Sequence, residues 1–256
     1  MSDFINTVDI VGDKALTASI VDRSITEIAD NAITTIGSYA FFGCTSLVEA
    51  NFPSATKING YAFASCKNLT AINFPSCTYF AQNVFQDCSA LVEVDFSNVT
   101  STSSYSVFQN CSNLKNAKFA KGTGIGNYMF YGCTSLTAVE FPVATKVNTS
   151  AFQGCTALAE LDFPKVASVA VNAFSGCSQL TALVLRKSDA ICTLANVSAF
   201  TDTPIASGTG YIYVPAARID EYRQASNWSN FSSQFRALES YTVDGTTTGE
   251  LDPTKI

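Results

Sequence analysis

The chain has 256 residues, of which 47% are hydrophobic and only 14% are charged, and it contains no histidine. The charged fraction is well below the roughly 25% of an average globular protein, which indicates a core-rich folded chain. A net charge of −6 argues against a nucleic-acid partner. Without histidine there are no histidine general bases, no Ser–His or Cys–His pairs and no histidine-ligated metal sites, so ordinary hydrolase and metalloenzyme functions are disfavoured.

Residues 1–24 predict an N-terminal cap. Apolar and polar residues alternate over 5–10 and 15–21, on either side of Gly12-Asp13, which is typical of a β-hairpin. The opening residues lack a basic segment followed by an apolar one, and no apolar run approaches the ~18 residues of a membrane span. We therefore expect a soluble chain with no membrane insertion, located outside the cell, at a cell surface or in a virus particle, and otherwise in the cytoplasm.

Residues 25–205 repeat with a period of 22 residues and one interval of 23. The period is marked by seven cysteines: Cys44, Cys66, Cys88, Cys111, Cys133, Cys155 and Cys177. Each cysteine has Phe three residues before it, Leu three residues after it, and Phe or Leu eight residues after it. A fixed period of this length predicts a solenoid, in which each repeat forms one turn, or rung.

Each repeat contains the pattern of one strand and one tight turn. The segment from Leu to the second Phe alternates with period two, which predicts a short strand. The A-F-x-G-C stretch predicts a single helical turn, and the Gly, Asn or Asp that usually precedes Cys favours a left-handed residue there. A further apolar position lies eight residues before Cys. Ser103 occupies it in the repeat with the extra residue, where we expect a distorted rung.

The seven cysteines of the ladder are predicted to be reduced, buried packing residues. Cysteine is small and often buried, and the sequence has no C-x-x-C pair. Neighbouring cysteines in register would have parallel Cβ vectors, which suit disulfide geometry poorly. Cys77 lies off the ladder and is predicted to belong to the core.

The repeat units resemble BspA-like leucine-rich repeats over residues 25–205. The resemblance implies a right-handed, α/β-type solenoid of about eight rungs, with a parallel sheet on one face and turns on the other. It also implies adhesion or ligand capture rather than catalysis, since the family pattern carries no catalytic residue. We therefore expect a non-enzymatic protein that needs no cofactor and no metal.

Residues 206–240 predict a C-terminal cap of strand and helix. The strand covers residues 211–214 and stops at Pro215, and a helix follows over about 216–226. Trp228, Phe231, Phe235 and Leu238 then recur at helical spacing. Trp228 is predicted to plug the last phenylalanine rung, with ligand stacking as the alternative. Residues 241–256 are rich in Thr, Gly and Asp, which predicts a mobile tail.

The candidate binding residues are the outward positions of the strands, five and seven residues after each Cys. They form a mostly acidic and amide-rich strip that would bind a protein or a glycan, or would only be solvated. The predicted site consists of Glu93, Asp95, Asn116, Lys118, Glu140, Glu160 and Asp162. The carboxylate pairs within it lack the dense oxygen loop of a calcium site and the walled pocket of a glycosidase.

Two alternatives stay open at this stage. The chain could be a phage virion component, tail-associated or receptor-binding. The binding site could also lie on the turns, where Tyr39, Tyr61 and Tyr128 recur five residues before Cys, or on the C-terminal cap.

Overall fold

In the computed structural model, which describes residues 15–16, 24–102, 104–238, 240–243 and 246–250, the repeats form a parallel β-solenoid. Each turn contributes one or two short strands, because the 22-residue period returns the backbone to the same point beside the preceding turn. The strands up to residue 194 are, in chain order, β1 (Ala15–Leu16), β2 (Glu27–Ala29), β3 (Thr35–Ile36), β4 (Glu49–Asn51), β5 (Lys57–Ile58), β6 (Ala71–Asn73), β7 (Tyr79–Phe80), β8 (Glu93–Asp95), β9 (Asn116–Lys118), β10 (Ala138–Glu140), β11 (Lys146–Val147), β12 (Glu160–Phe163), β13 (Ser168–Val169), β14 (Ala182–Leu185) and β15 (Thr193–Leu194).

The main face of the solenoid is formed by the strands that the Leu-to-Phe alternation predicts: β2, β4, β6, β8, β9, β10, β12 and β14. Their register pairs equivalent repeat positions, so that Glu49 lies beside Glu27 on one side and Ala71 on the other. Hydrogen bonding divides the main-face strands into three sheets, β2-β4-β6, β8-β9-β10 and one that begins with β12-β14. Parallel in-register pairing therefore stacks side chains of the same repeat position in rows along the solenoid.

A second face of two-residue strands corrects the expectation of a sheet on one face only. Strands β1, β3, β5 and β7 form one parallel sheet and β11, β13 and β15 another, and Ile125 bridges to Val147. Each described pair from β3 to β15 buries its second residue, as Ile36 and Ile58 do. Two residues are too few for a period-two pattern, so the sequence shows this strand only as one apolar position.

The turns form a third side, called here the turn edge, which carries the seven ladder cysteines. The left-handed residue predicted before each Cys is present, with φ between +59° and +76°. A second left-handed residue five positions before Cys was not predicted. It is Tyr39, Tyr61, Asn83, Ser106, Tyr128, Ser150 or Asn172. This conformation aims its N–H along the solenoid, as when Tyr61 N–H donates to the Gln82 carbonyl at 3.1 Å.

Two stacks of phenylalanine rings fill the core. The first contains the Phe three residues before each Cys and runs unbroken from Phe41 to Phe200, with successive ring centroids 4.9 to 5.9 Å apart. The second contains the Phe eight residues after Cys and runs from Phe52 to Phe141 at 4.8 to 6.4 Å. Stacked and tilted rings at these distances combine large apolar burial with favourable ring geometry.

A distorted rung was expected at Ser103, in the repeat with the extra residue, and Ser103 lies outside the described residues. Between β7 and Ile125 the described residues of the second face form no strand. The larger Phe80, where the two preceding repeats carry Ile, packs edge-on against Phe96 and Phe119 at 5.5 and 6.1 Å. Thr102 is fully buried, and its hydroxyl donates to the Gly124 carbonyl.

All nine cysteines are buried, which confirms the predicted core position of the seven ladder cysteines and of Cys77. From Cys66 onward each ladder thiol donates a hydrogen bond to the carbonyl of the Phe three residues before the preceding ladder Cys, at 3.0 to 3.1 Å. The thiol thus links adjacent turns and satisfies a buried carbonyl.

The C-terminal region adds two turns to the solenoid and contains little helix. It comprises α1 (Pro204–Ser207), β16 (Tyr211–Pro215), α2 (Ile219–Gln224), β17 (Phe235–Leu238), β18 (Ser240–Val243) and β19 (Thr246–Glu250). Strands β16 and β17 continue the main face in parallel after β14, which gives ten main-face strands in the described chain instead of about eight rungs. The helical spacing predicted over 228–238 holds only for the single 3-10 turn Trp228–Phe231 and was wrong beyond it, because Phe235 and Leu238 are buried residues of strand β17.

Both ends of the solenoid differ in detail from the sequence-based expectation. Trp228 is fully buried against Phe200 at 5.9 Å, which confirms its predicted role as a plug. Strands β18 and β19 pair as an antiparallel hairpin where a mobile tail was expected. At the other end, β1 pairs in parallel with β3. The rest of the predicted N-terminal hairpin lies outside the described residues.

Candidate binding surface

The seven predicted site residues all lie on the main face. Five of them are on β8, β9 and β10, which form one sheet, whereas Glu160 and Asp162 are on β12 in the next sheet. Six are exposed and Glu160 is half-buried. The structure therefore places the set on one surface, in two adjacent segments.

Several of these charged side chains are already paired within the chain. Lys118 Nζ lies 3.8 Å from a carboxylate oxygen of Glu140. Asp162 accepts hydrogen bonds from the Nε and Nη2 of Arg186 at 2.8 to 2.9 Å, an arrangement that the sequence did not reveal. Asp95 accepts from the backbone N–H of Ser97 at 2.9 Å. The two ion pairs reduce the charge that this part of the strip offers to a partner.

Uncompensated carboxylates are concentrated toward the N-terminal half of the main face. Glu27, Glu49 and Glu93 occupy one row, interrupted by Ala71, and are exposed with no ion pair among the described residues. In the neighbouring row the Asn73 side-chain N–H₂ donates to the side-chain Oδ1 of Asn51 at 2.9 Å. This half of the face offers hydrogen-bond acceptors and negative charge.

The C-terminal end of the main face is aromatic, a feature that the sequence reasoning missed. Ala182 and Val184 were expected to point outward, yet both are buried, with Tyr211 and Tyr213 beside them in register on β16. Arg236 on β17 lies over the Tyr211 ring, with its guanidinium carbon 4.2 Å from the ring centroid. The Tyr-Ile-Tyr-Val alternation has the pattern of a solenoid strand and could have identified these outward tyrosines.

Electrostatic contacts join this aromatic end to the predicted site. Partial burial raises the pKa of Tyr213, Arg236 opposes that shift, and the nearby Glu160 carboxylate adds to it. Tyr213 is therefore a neutral phenol at physiological pH, with an O–H that can donate.

The remaining surface features are less suited to a site. A shallow groove is lined by Lys165, Arg186, Lys187 and Asp189, but Lys187 and Asp189 are paired at 2.5 Å. On the turn edge, the exposed Tyr39 ring stacks on Tyr61 at 5.0 Å. Among the described residues no group of three His, Cys, Asp or Glu side chains is arranged to hold a metal ion, and no helix is long and apolar enough to span a membrane.

Comparison with known proteins gives matches by family and by fold. No curated protein matches this chain. A leucine-rich repeat protein from Bacteroides ovatus aligns with a TM-score of 0.54 and 22% identity, over 84% of this chain and 66% of its own length. A leucine-rich repeat protein of T. pallidum matches at 24% identity and a TM-score of 0.47, over 61% of this chain and 72% of its own. A leucine-rich cell surface protein from Faecalibacterium prausnitzii matches at 20% identity and a TM-score of 0.39, over 73% of this chain and 59% of its own length.

The family comparison agrees with the repeat geometry described above. The model of the BspA type leucine rich repeat region matches residues 21–124 and 105–212, with six copies. These residues include the whole cysteine and phenylalanine ladder and the main-face strands from β2 to β14. The chain therefore belongs to the BspA-type leucine-rich repeat proteins.

Proposed function

We propose that this chain is a non-enzymatic binding protein that recognises a protein or glycan partner outside the producing cell through its main face. The observation that carries the proposal is the row of outward polar side chains on parallel in-register strands. These side chains are exposed and separate from the core, so they are free to meet a partner without any change in the fold.

The geometry of the main face favours binding over catalysis. Its carboxylates stand on short strands of an open surface, and none of the predicted site residues is fully buried. A catalytic acid or base needs a pKa adjusted by burial or by a like charge, together with a site that excludes water. An open strip instead supports many small polar contacts spread over a large area.

The unpaired carboxylates favour a partner with cationic groups or hydrogen-bond donors at the N-terminal half. Substitution of Glu49 and Glu93 tests this preference most directly, since both side chains are exposed and neither contributes to the core. Opposite charge across an interface speeds association and is weakened by salt.

The experiment is a screen of the purified protein against a glycan array and a library of cell-surface proteins, repeated with a Glu27→Gln, Glu49→Gln and Glu93→Gln triple variant. We expect the triple variant to bind a hit from the protein library at least 10-fold more weakly and to lose most of its salt dependence. Asp220→Asn with Glu221→Gln, on helix α2, is the matched control with two exposed carboxylates off the main face. Equal binding by both variants to every hit, or no hit from either library, would refute main-face recognition.

A further inference from the structure

The turn edge differs from the main face because it carries almost no charge. Over the seven turns of the ladder, the residues from seven before each Cys to two after it include only two charged side chains, Lys67 and Asp87. The chain as a whole is 14% charged. The turn edge therefore lacks the charges that make the main face a candidate site for a charged partner, and it suits a neutral one.

Exposed aromatic side chains are concentrated on this uncharged edge. Tyr79 on the second face is exposed, and the other exposed aromatic residues of the described chain lie on the turn edge: Tyr39, Phe42, Tyr105 and Tyr128. Tyr105 is 56% exposed and Tyr128 is 38% exposed. Rings at the surface add little to the core, and their concentration on one edge is typical of an interaction surface.

Three of the turn-edge tyrosines occupy a backbone conformation that disfavours them. Tyr39, Tyr61 and Tyr128 have φ values of +59°, +59° and +54°. A bulky residue is strained in this left-handed region, which asparagine adopts more easily. Asn83 and Asn172 occupy the same repeat position in other turns. Strain that persists at a surface position points to a role for the tyrosine side chain other than stability.

In the middle of the ladder these side chains form one cluster on three consecutive turns. We define the tyrosine patch as Tyr105, Gln109, Tyr128, Tyr131 and Gln153. The Tyr128 and Tyr131 rings lie 6.1 Å apart. The Asn110 N–H donates to the Tyr131 carbonyl at 2.7 Å, and the Gly132 N–H to the Gln153 carbonyl at 2.8 Å. These bonds hold the three turns in register, and at about 4.8 Å per turn the patch extends about 10 Å along the solenoid.

The polar groups of the tyrosine patch are available to a ligand. Gln109 and Gln153 flank Tyr131 in the row two residues before Cys, and both are partly exposed. Their side-chain amides make no hydrogen bond with any residue that the structure describes. An amide offers both a donor and an acceptor, and so does a tyrosine hydroxyl. The patch therefore combines exposed rings with groups that donate and accept.

We propose that the tyrosine patch binds a neutral glycan chain, with the apolar C–H faces of its sugar rings against Tyr105 and Tyr128 and its hydroxyls hydrogen-bonded to Gln109 and Gln153. A sugar hydroxyl donates and accepts as these amides do, whereas a proline-rich peptide offers mainly acceptors to an aromatic surface. Nucleic acids and acidic glycans require cations, which the patch lacks. This site lies apart from the main face, so it goes beyond the proposed function and does not depend on it.

The test is affinity electrophoresis of the purified protein in gels that each contain one neutral polysaccharide: laminarin, glycogen, galactomannan, hydroxyethylcellulose or glycol chitin. We expect at least one of them to slow the protein, and calorimetry then measures the affinity. Tyr105→Ala and Tyr128→Asn should each weaken binding about 10-fold, the loss expected for one stacked ring. Tyr79→Ala is the matched control, because Tyr79 is 41% exposed but lies on the second face.

The Tyr128→Asn variant also separates binding from folding. Asparagine tolerates the left-handed backbone at this position, so thermal unfolding followed by circular dichroism should give an unchanged or higher Tm. Binding should be equal at about 50 and 500 mM salt, because neither the glycan nor the patch is charged. A lower Tm with unchanged binding would assign Tyr128 to the fold and overturn the inference.

The outcomes distinguish this inference from main-face recognition. The triple variant of Glu27, Glu49 and Glu93 should bind the polysaccharide as the unaltered chain does, and loss of binding there would place the glycan on the main face. Retardation by none of the five polymers, equal loss in Tyr128→Asn and Tyr79→Ala, or tighter binding of heparin would overturn the inference and leave main-face recognition standing. Binding of a decaproline peptide that depends on Tyr128, without polysaccharide binding, would assign the patch to a peptide instead.

Discussion

At the scale of single residues, the ladder cysteines show how one side chain can serve packing and hydrogen bonding at once. Burial raises the pKa of the Cys66 thiol to about 12, from the ordinary value of 9.0. Its S–H donates to the Phe41 carbonyl at 3.0 Å. A buried thiol that keeps its proton is a poor nucleophile, because the thiolate is the reactive form.

We therefore predict that the seven ladder cysteines resist a thiol reagent in the native protein and react fully in denaturant. The measurement is the time course of labelling by a disulfide reagent at pH 8, with and without urea. Rapid labelling of several ladder cysteines in the folded protein would contradict the packing described here.

The raised thiol pKa values also predict how stability varies with pH. In the unfolded chain a thiol ionises near pH 9, whereas Cys66, Cys77 and Cys192 stay protonated to about 12 when folded. The unfolded state therefore loses protons first, and the free energy of unfolding falls between about pH 9 and 12. The slope is about 1.4 kcal/mol per pH unit for each such thiol.

Urea unfolding at half-unit steps from pH 8 to 11 measures this slope. Below pH 9 these thiols should contribute no pH dependence. Cys66→Ala removes one of them, so its slope above pH 9 should be shallower than that of the unaltered chain. An identical slope in the variant would show that other groups cause the loss of stability.

At the scale of elements, the turn edge shows why the residue before each ladder Cys is so often Gly. Gly43 and Gly132 have nearly the same left-handed φ, +70° and +71°. A Cβ on Gly43 would meet no atom within 4 Å, whereas a Cβ on Gly132 would lie 2.7 Å from Oδ1 of Asn110. Asn110 in turn donates to Asp87 at 2.9 Å. The stacking of turns therefore adds a steric requirement to the conformational one.

The two glycines are a matched pair for mutation. Gly43→Ala should lower the free energy of unfolding by about 1 kcal/mol, the cost of a side chain in the left-handed region. Gly132→Ala should cost about 1 kcal/mol more, since Asn110 must move and lose its contact with Asp87. Chemical denaturation measures both, and Asn110→Ala combined with Gly132→Ala should recover part of the difference. Equal costs at the two sites would exclude the steric contribution.

At the scale of the whole molecule, each turn of the solenoid contacts only its neighbours. The stability of the two end turns therefore determines how many of the adjacent turns stay folded. Trp228 closes the C-terminal end. It packs against Phe200, Tyr222 and Phe235, and its indole N–H donates to the Cys192 carbonyl at 2.6 Å. The plug therefore joins the last repeat to the two additional turns.

We predict that Trp228→Ala costs about 3–5 kcal/mol through the cavity it leaves and loosens the C-terminal turns first. Hydrogen exchange should rise in β14, β16 and β17 while β4 and β6 stay protected. Phe41→Ala, near the N-terminal end of the first phenylalanine stack, is the matched control and should show the reverse gradient. A uniform rise along the chain in either variant would contradict nearest-neighbour stability.

The sequence by itself determined the period, the inward positions and the main-face strands. A spacing of 22 residues converts directly into parallel register, so Leu, Phe and Cys at fixed offsets must lie in rows. For the same reason the outward residues of β8, β9, β10 and β12 could be named in advance, although their binding role stays a prediction.

Only the tertiary structure decided the features that depend on contacts between different repeat positions. The second face, the left-handed residues at Tyr39 and its equivalents, and the filling of the irregular repeat by Phe80 all depend on the neighbouring turn. The pairing of Asp162 with Arg186 spans 24 residues rather than one period. The stacking of Arg236 on Tyr211 joins residues that the sequence assigned to a cap. The contacts of Asp162 with Arg186 and of Arg236 with Tyr211 leave no periodic signal, because each occurs once in the chain and arises where two turns pack together.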